Sequence, residues 1–139
     1  MGARRKGRIL ALQALYSYDL SGAVLEDLLR FPWIDQDKLE KINQEALSFA
    51  RIIIQGTIDN IKKVDNDIEE QLEHWDFARL NKVDLSILRI SVYCLLFQRN
   101  IPPTVTIDEA IDIAREFGTD DSYRFINGVI DGIRKQQKL

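Results

Sequence analysis

A single cysteine, a single histidine and three prolines are spread over 139 residues. The lone thiol, Cys94, rules out a disulfide framework and leads us to expect a reducing compartment, the cytoplasm. His74 and Cys94 lie far apart in the chain, too few and too distant for a tetrahedral metal site or a thiol–imidazole pair, so no metal and no cofactor is expected. Glycine forms no phosphate-cradling loop, because Gly128 and Gly132 fall inside a helical pattern. No run of 18 apolar residues occurs, so no membrane span is expected. The N-terminus lacks the apolar core and small-residue cleavage site of a signal peptide and reads as mature sequence. Adjacent carboxylates, Asp108/Glu109 and Asp120/Asp121, sit where helices are expected to start, and capping and dipole effects account for them. Nothing here assembles a catalytic centre. The reading is a binding module, not an enzyme.

What the chain does have is helix formers, no alternating strand pattern, and 45% hydrophobic residues. That is enough apolar material for one all-α domain with a sizeable core. Charge is uneven. The net value is −3, yet Arg4, Arg5, Lys6 and Arg8 place four cations in five positions. They open a helix predicted over residues 3 to about 20, with Ile9, Leu12, Leu15 and Tyr16 inward. Cations at a helix N-terminus oppose its dipole, costing from a few tenths of a kcal/mol to about 1 kcal/mol each. Two readings follow: a solvated, frayed terminus, or an arm that replaces counterions on a nucleic-acid backbone.

Ser21 and Gly22 should break that helix. A short second one, residues 23 to 30, would turn Val24, Leu25, Leu28 and Leu29 inward. Phe31-Pro32-Trp33 reads as a loop whose aromatics plug the core edge or, alternatively, stack on bases. A long helix is predicted from about 36 to 63, apolar on two faces and so packed between neighbours. One face carries Leu39, Ile42, Ala46, Phe49, Ile53 and Gly56; the other carries Leu47, Ala50, Ile54, Ile58 and Ile61. Asp65 should open an amphipathic segment with Ile68, Leu72 and Trp75. Asn81 can cap a helix, with Asp84 at its third position. Residues 83 to 97 are apolar nearly all round, the mark of an enclosed central helix. Arg89 within it is expected to pair with a carboxylate.

The stretch from Ile101 to Ile133 reads as a helical hairpin. Pro102 and Pro103 end what precedes them. Thr106 and Glu109 form a capping box in sequence, Ile107, Ala110, Ile111, Ala114 and Phe117 follow at helical spacing, and Gly118 is expected as a left-handed cap. Thr119 or Asp120 can cap the next helix, whose apolar stripe is Phe125, Ile126, Val129, Ile130 and Ile133. Between them, residues 118 to 122 make a polar corner facing solvent.

This hairpin resembles the C-terminal part of the NusB family of bacterial transcription antitermination factors, through its IPP turn, its IDEAI…A..FG helix and its DSYRFINGV corner. RRKGRILALQALY resembles the family's Arg-rich opening, and VDLSILRISVYCLLF its VD..ILR...YEL segment, with Cys94 standing where an acid is usual. The resemblance spans essentially the whole chain. It implies a two-subdomain bundle of about seven helices, an N-terminal part to about residue 80 and a C-terminal part from about 81, within one RNA-binding domain. It also implies binding, together with the small-subunit ribosomal protein NusE, of boxA-type single-stranded RNA in ribosomal RNA leaders, and delivery to an RNA polymerase elongation complex that then passes terminators. Arg4, Arg5, Lys6 and Arg8 would supply phosphate contacts. Asp121 and Ser122 would contact bases or a 2′-hydroxyl, Arg124 a phosphate, and Phe125 either a base or the core. Tyr16 and Asp84 match positions facing the partner, with core burial and capping as their alternatives. A homodimer is compatible with the family. Two other functions remain open: an RNA-binding appendage acting with an rRNA methyltransferase, disfavoured because no cofactor-binding module follows, and a helical protein-binding scaffold without RNA.

Overall fold

The computed structural model describes residues 2–74 and 76–139; the expectation for Trp75 lies outside them. Among the described residues the chain forms eight α-helices, one 3-10 turn and no strand. Helix α1, Ala3–Ser21, matches the predicted span and ends at Gly22, which takes a left-handed conformation with φ 66°. Ile9, Leu12 and Leu15 are buried as expected, but Tyr16 is 38% exposed. The second helix shrinks to one turn, α2 (Leu25–Leu28), with Val24 in solvent rather than in the core. Phe31 is fully buried at φ 53°, and its ring meets Trp33 edge-on and lies under the Arg51 guanidinium. The loop aromatics therefore plug the core edge.

The long helix expected over 36–63 is three pieces: α3 (Gln36–Glu40), α4 (Gln44–Asp59) and α5 (Ile61–Glu70). Asparagines make both breaks. The Asn43 side chain accepts from the Glu45 amide at 2.7 Å and caps α4. The Asn60 amide donates to the Gly56 carbonyl at 2.8 Å, and its backbone (φ −111°, ψ 20°) leaves the helix. Short polar side chains of this kind compete with the helical ladder for backbone groups. The apolar periodicity carries on across the breaks and conceals them. Asp65, expected to open a segment, therefore lies inside α5.

After a 3-10 turn (Phe77–Arg79), Asn81 caps α6 (Lys82–Phe97), accepting from the Val83 and Asp84 amides at 2.9 and 3.1 Å. Eleven of the 16 residues of α6 are buried, so it is the enclosed helix that its all-round apolarity predicts. Arg89 within it makes a two-pronged pair with Asp65, 2.8 Å at each prong, and reaches Asp19 at 3.2 Å. Burial opposes its charge, and the carboxylates of Asp65 and Asp19 more than restore it. This network ties α1, α5 and α6 together. The last pair, α7 (Pro103–Phe117) and α8 (Ser122–Gln136), packs on α6, and one apolar core runs through α1, α4, α5, α6, α7 and α8.

Three details of the hairpin depart from expectation. Helix α7 begins at Pro103, where a missing amide costs nothing, so Thr106 and Glu109 lie inside it and make no capping box. Asp108 and Glu109 are likewise mid-helix. Gly118 is not left-handed but extended (φ −91°, ψ −169°). Its need for glycine is close approach: a Cβ there would lie 2.5 Å from the Ser122 hydroxyl and 2.7 Å from the Ala114 carbonyl. Neither Thr119 nor Asp120 caps α8, whose N-cap is Asp121; the corner is fixed by the Ser122 hydroxyl, which accepts from the Thr119 amide at 2.8 Å and lies 3.1 Å from the Thr119 hydroxyl.

Candidate nucleic-acid interface

The basic run lands on the first two turns of α1, against α4 on one side and α7 on the other. Gly7 permits the first contact, since a Cβ there would meet the Ala46 carbonyl and the Phe49 ring, each at 2.9 Å. Arg4 and Arg8 then place their guanidiniums over Phe49, 5.3 and 5.1 Å from the ring centre, within cation–π range. On the α7 side, Arg5 donates from Nε to Glu109 and from Nη2 to Asp112 at 3.0 Å. The hydrogen bond from Arg5 to Glu109 raises its pKa above the usual arginine value.

The four cations are thus unequal. Arg4 is exposed and Lys6 half-buried. Arg5 is held by two carboxylates. Arg8 is only 5% exposed, 3.8 Å from Glu109, and burial pushes its pKa down. Its Nη2 has no hydrogen-bond partner among the described residues. Arg8 and Cys94 line a cavity of about 10 Å³ with Thr106, whose hydroxyl is also unpartnered among the described residues. Burial raises the Cys94 thiol to about 12, so it stays neutral and offers Arg8 no counter-charge.

The second candidate cluster lies at the α7–α8 corner. Asp121 and Arg124 are exposed and pair with each other at 3.2 Å. Ser122 is buried and spends its hydroxyl inside the corner. Phe125 is half-buried against the core. Asp84, at the start of α6, is buried close by; burial raises its carboxyl above the usual range and the Ser122 hydroxyl pulls the other way. The arm and the corner do not meet. Glu109, beneath the arm, and Phe117, beside the corner, are eight residues apart on α7, about 12 Å along its axis.

Between the α1 C-terminal half and that corner runs an apolar groove of about 510 Å³. Tyr16, Leu20, Val83 and Phe117 line it, with Gln13 and Trp33 at one end. Leu20 is 59% and Phe117 39% exposed, although Phe117 was expected inward. Large exposed apolar side chains gathered in one groove mark an interaction surface. Tyr16 therefore belongs to a surface and not to the core. Sequence reasoning missed Glu109 and Asp112 as partners of the arm and Phe49 as its cation–π platform. Arg5 and Glu109 are 104 positions apart, and no local pattern connects them.

Comparison with known proteins identifies the family and the fold. The NusB family profile matches residues 5–135. The transcription antitermination protein NusB of Treponema denticola is 50% identical over 133 residues, covering 96% of each chain. Among solved structures, NusB of T. maritima superposes with a TM-score of 0.84 at 36% identity, covering 96% of this chain and 91% of that one. A chain in a crystal structure of the antitermination factors NusB and NusE in complex with double-stranded RNA also gives 0.84, at 26% identity, covering 96% and 97%. A full-length family match and half-identical relatives place the assignment beyond fold likeness: the chain belongs to the NusB family.

Proposed function

We propose that this chain is a transcription antitermination factor. In this reading it binds boxA-type single-stranded RNA in ribosomal RNA leader transcripts together with NusE, and helps RNA polymerase elongate past terminators. It acts in the cytoplasm as a binding factor without a catalytic role. Family membership supports the reading, as does a structural relative solved with NusE and RNA. The observation that carries it within this chain is the pairing of a basic helix end with an apolar groove along the same helix, α1.

In this scheme Arg4 and Lys6 face the RNA backbone directly, while Arg5 is held back from it by Glu109 and Asp112. Arg8 holds Phe49 and Glu109 in place beneath them. Asp121 and Arg124 present hydrogen-bonding groups to splayed bases or phosphates, Phe125 borders them, and Ser122 sets the corner's shape. Tyr16, with Leu20 and Phe117 around it, receives NusE, and Asp84 supports that edge. Affinity becomes adequate when NusE adds its own surface to the arm's electrostatics.

The test is RNA binding by the chain with NusE, comparing a boxA-like strand with a scrambled one across a salt series. Preference for the boxA-like strand and a steep negative log–log slope are expected. A slope near zero would remove the phosphate-arm reading. Equal affinity for the two strands would remove the sequence-specific one.

A further inference from the structure

Two of the four arm cations are already matched by carboxylates in the fold, which leaves the question of where the RNA backbone lies. Lys6 turns away from α7 and toward α3. It lines two adjoining clefts, one of about 410 Å³ shared with Lys41 and Asn43, the next of about 500 Å³ shared with Lys38, Lys41, Gln13 and Trp33. Asp35 is the one carboxylate along either wall. Among the described residues, Lys6, Lys38 and Lys41 have no carboxylate within salt-bridge distance.

The charge order of this segment is unusual for a purely structural turn. Lys38 and Lys41 are three apart and share a helical face; Asp37 and Glu40 share the adjacent face and line neither cleft. Like charges at this spacing cost a few tenths of a kcal/mol each, while the opposite-charge pairing Asp37 to Lys41, four apart, would gain a similar amount. Among the described residues that pairing is not made. Over residues 37 to 41 the cations line the clefts and the anions do not, Asp35 at the start of α3 being the one carboxylate on the wall.

We propose that the cleft between α1 and α3 is a track for the sugar–phosphate backbone of the RNA, with Lys38 and Lys41 as its outer rail and Lys6 as its inner one. This rests on the RNA-binding reading above and adds residues that the basic arm does not include. Lysines suit the role. Each is a compact, rotatable point charge that can follow successive phosphates without the fixed bidentate geometry of an arginine fork. Trp33 closes the far end, its indole N–H donating to Gln13 Oε1 at 2.9 Å, and both residues also form the near wall of the apolar groove. A strand lying on the lysines is thereby led to the edge of the surface assigned to NusE.

The experiment is a salt titration of RNA affinity for the full chain with NusE, using a fluorescently labelled single-stranded boxA-like RNA. Wild type is compared with the double variant Lys38→Gln/Lys41→Gln and with Asp37→Asn/Glu40→Gln as the opposite-face control. Each phosphate contact on a single strand contributes about −0.7 to the log–log slope, so the lysine variant is expected to be shallower by about 1.4. Raising salt from about 50 to about 200 mM should therefore weaken wild type about sevenfold more than that variant. The control should keep the wild-type slope. A steep wild-type slope that the lysine variant leaves unchanged overturns the track while sparing the arm. A wild-type slope near zero overturns both. Loss of NusE affinity in the absence of RNA, with the slope intact, makes the cleft a protein site and also overturns it. All four substituted residues are exposed, so the variants should keep the wild-type melting temperature.

Discussion

Replacing Glu109 by glutamine separates the stabilising role of the arm from its binding role. Glu109 faces two guanidiniums at once, Arg5 through a direct hydrogen bond and Arg8 at 3.8 Å. At that second distance, with an effective dielectric of 20, the attraction is about 4 kcal/mol before desolvation is subtracted. Glu109 is itself largely buried, with 22% side-chain exposure, and making it neutral relieves about half of that. The net expected loss is about 2 kcal/mol, which for a domain of this size lowers the melting temperature by about 7 °C. Thermal denaturation by circular dichroism reads it. RNA binding should move the other way. Arg5, still near Asp112 but released from its main partner, becomes available to a phosphate, steepening the salt slope by up to about 0.7. Arg8 stays buried and adds nothing. A folded Glu109→Gln protein with weaker RNA binding would refute the reasoning, because Glu109 would then be holding Arg5 in its RNA-contacting pose. An unchanged melting temperature would refute the stability half.

Four further outcomes are expected. Asp65→Asn strips the Arg89 guanidinium of its two-pronged partner and should cost about 3 kcal/mol in urea denaturation. Lys82 and Arg89 hold the Asp19 carboxyl below its usual range against the opposing effect of burial. Its contribution is therefore present above the ordinary aspartate pKa and lost as pH falls through the depressed one, so Asp19→Asn should cost less at acidic than at neutral pH. Leu20→Asp, at a largely exposed position, should leave the melting temperature within about 1 °C yet abolish NusE binding by calorimetry; retained binding would move the partner off the groove. Gly7→Ala gains about 1 kcal/mol of helix propensity but drives a methyl against the Ala46 carbonyl, and a net loss of about 1–2 kcal/mol is expected.

The parts of this fold that the sequence reveals are those written in local chemistry. The Asn81 cap, the all-round apolarity of α6, the Arg89 ion pair and the Gly22 stop each depend on neighbours within a turn or on the cost of burying charge. The failures have the same origin in reverse. Asn43 and Asn60 break a helix whose apolar period runs straight through them, because side chain–backbone competition leaves no mark on periodicity. Thr106 and Glu109 fit a capping box in spacing, but Pro103 starts the helix earlier and a distant arginine claims the glutamate. Tyr16 and Phe117 satisfy the inward period and yet face a groove, since among the described residues no element covers that side of α1 and α7. At the candidate site, residue types were legible and their division of labour was not. Which of four adjacent cations is buried depends on Phe49, Glu109 and Cys94, all remote in sequence.

Helix α1 carries the basic end and the groove-lining end on one uninterrupted rod, 19 residues and about 28 Å long. The angular phase between the two surfaces is therefore set by residue count alone. One alanine inserted after Gln13 would swing one surface about 100° around the axis relative to the other, leaving each chemically intact while the two ligands could no longer be grasped from the same side.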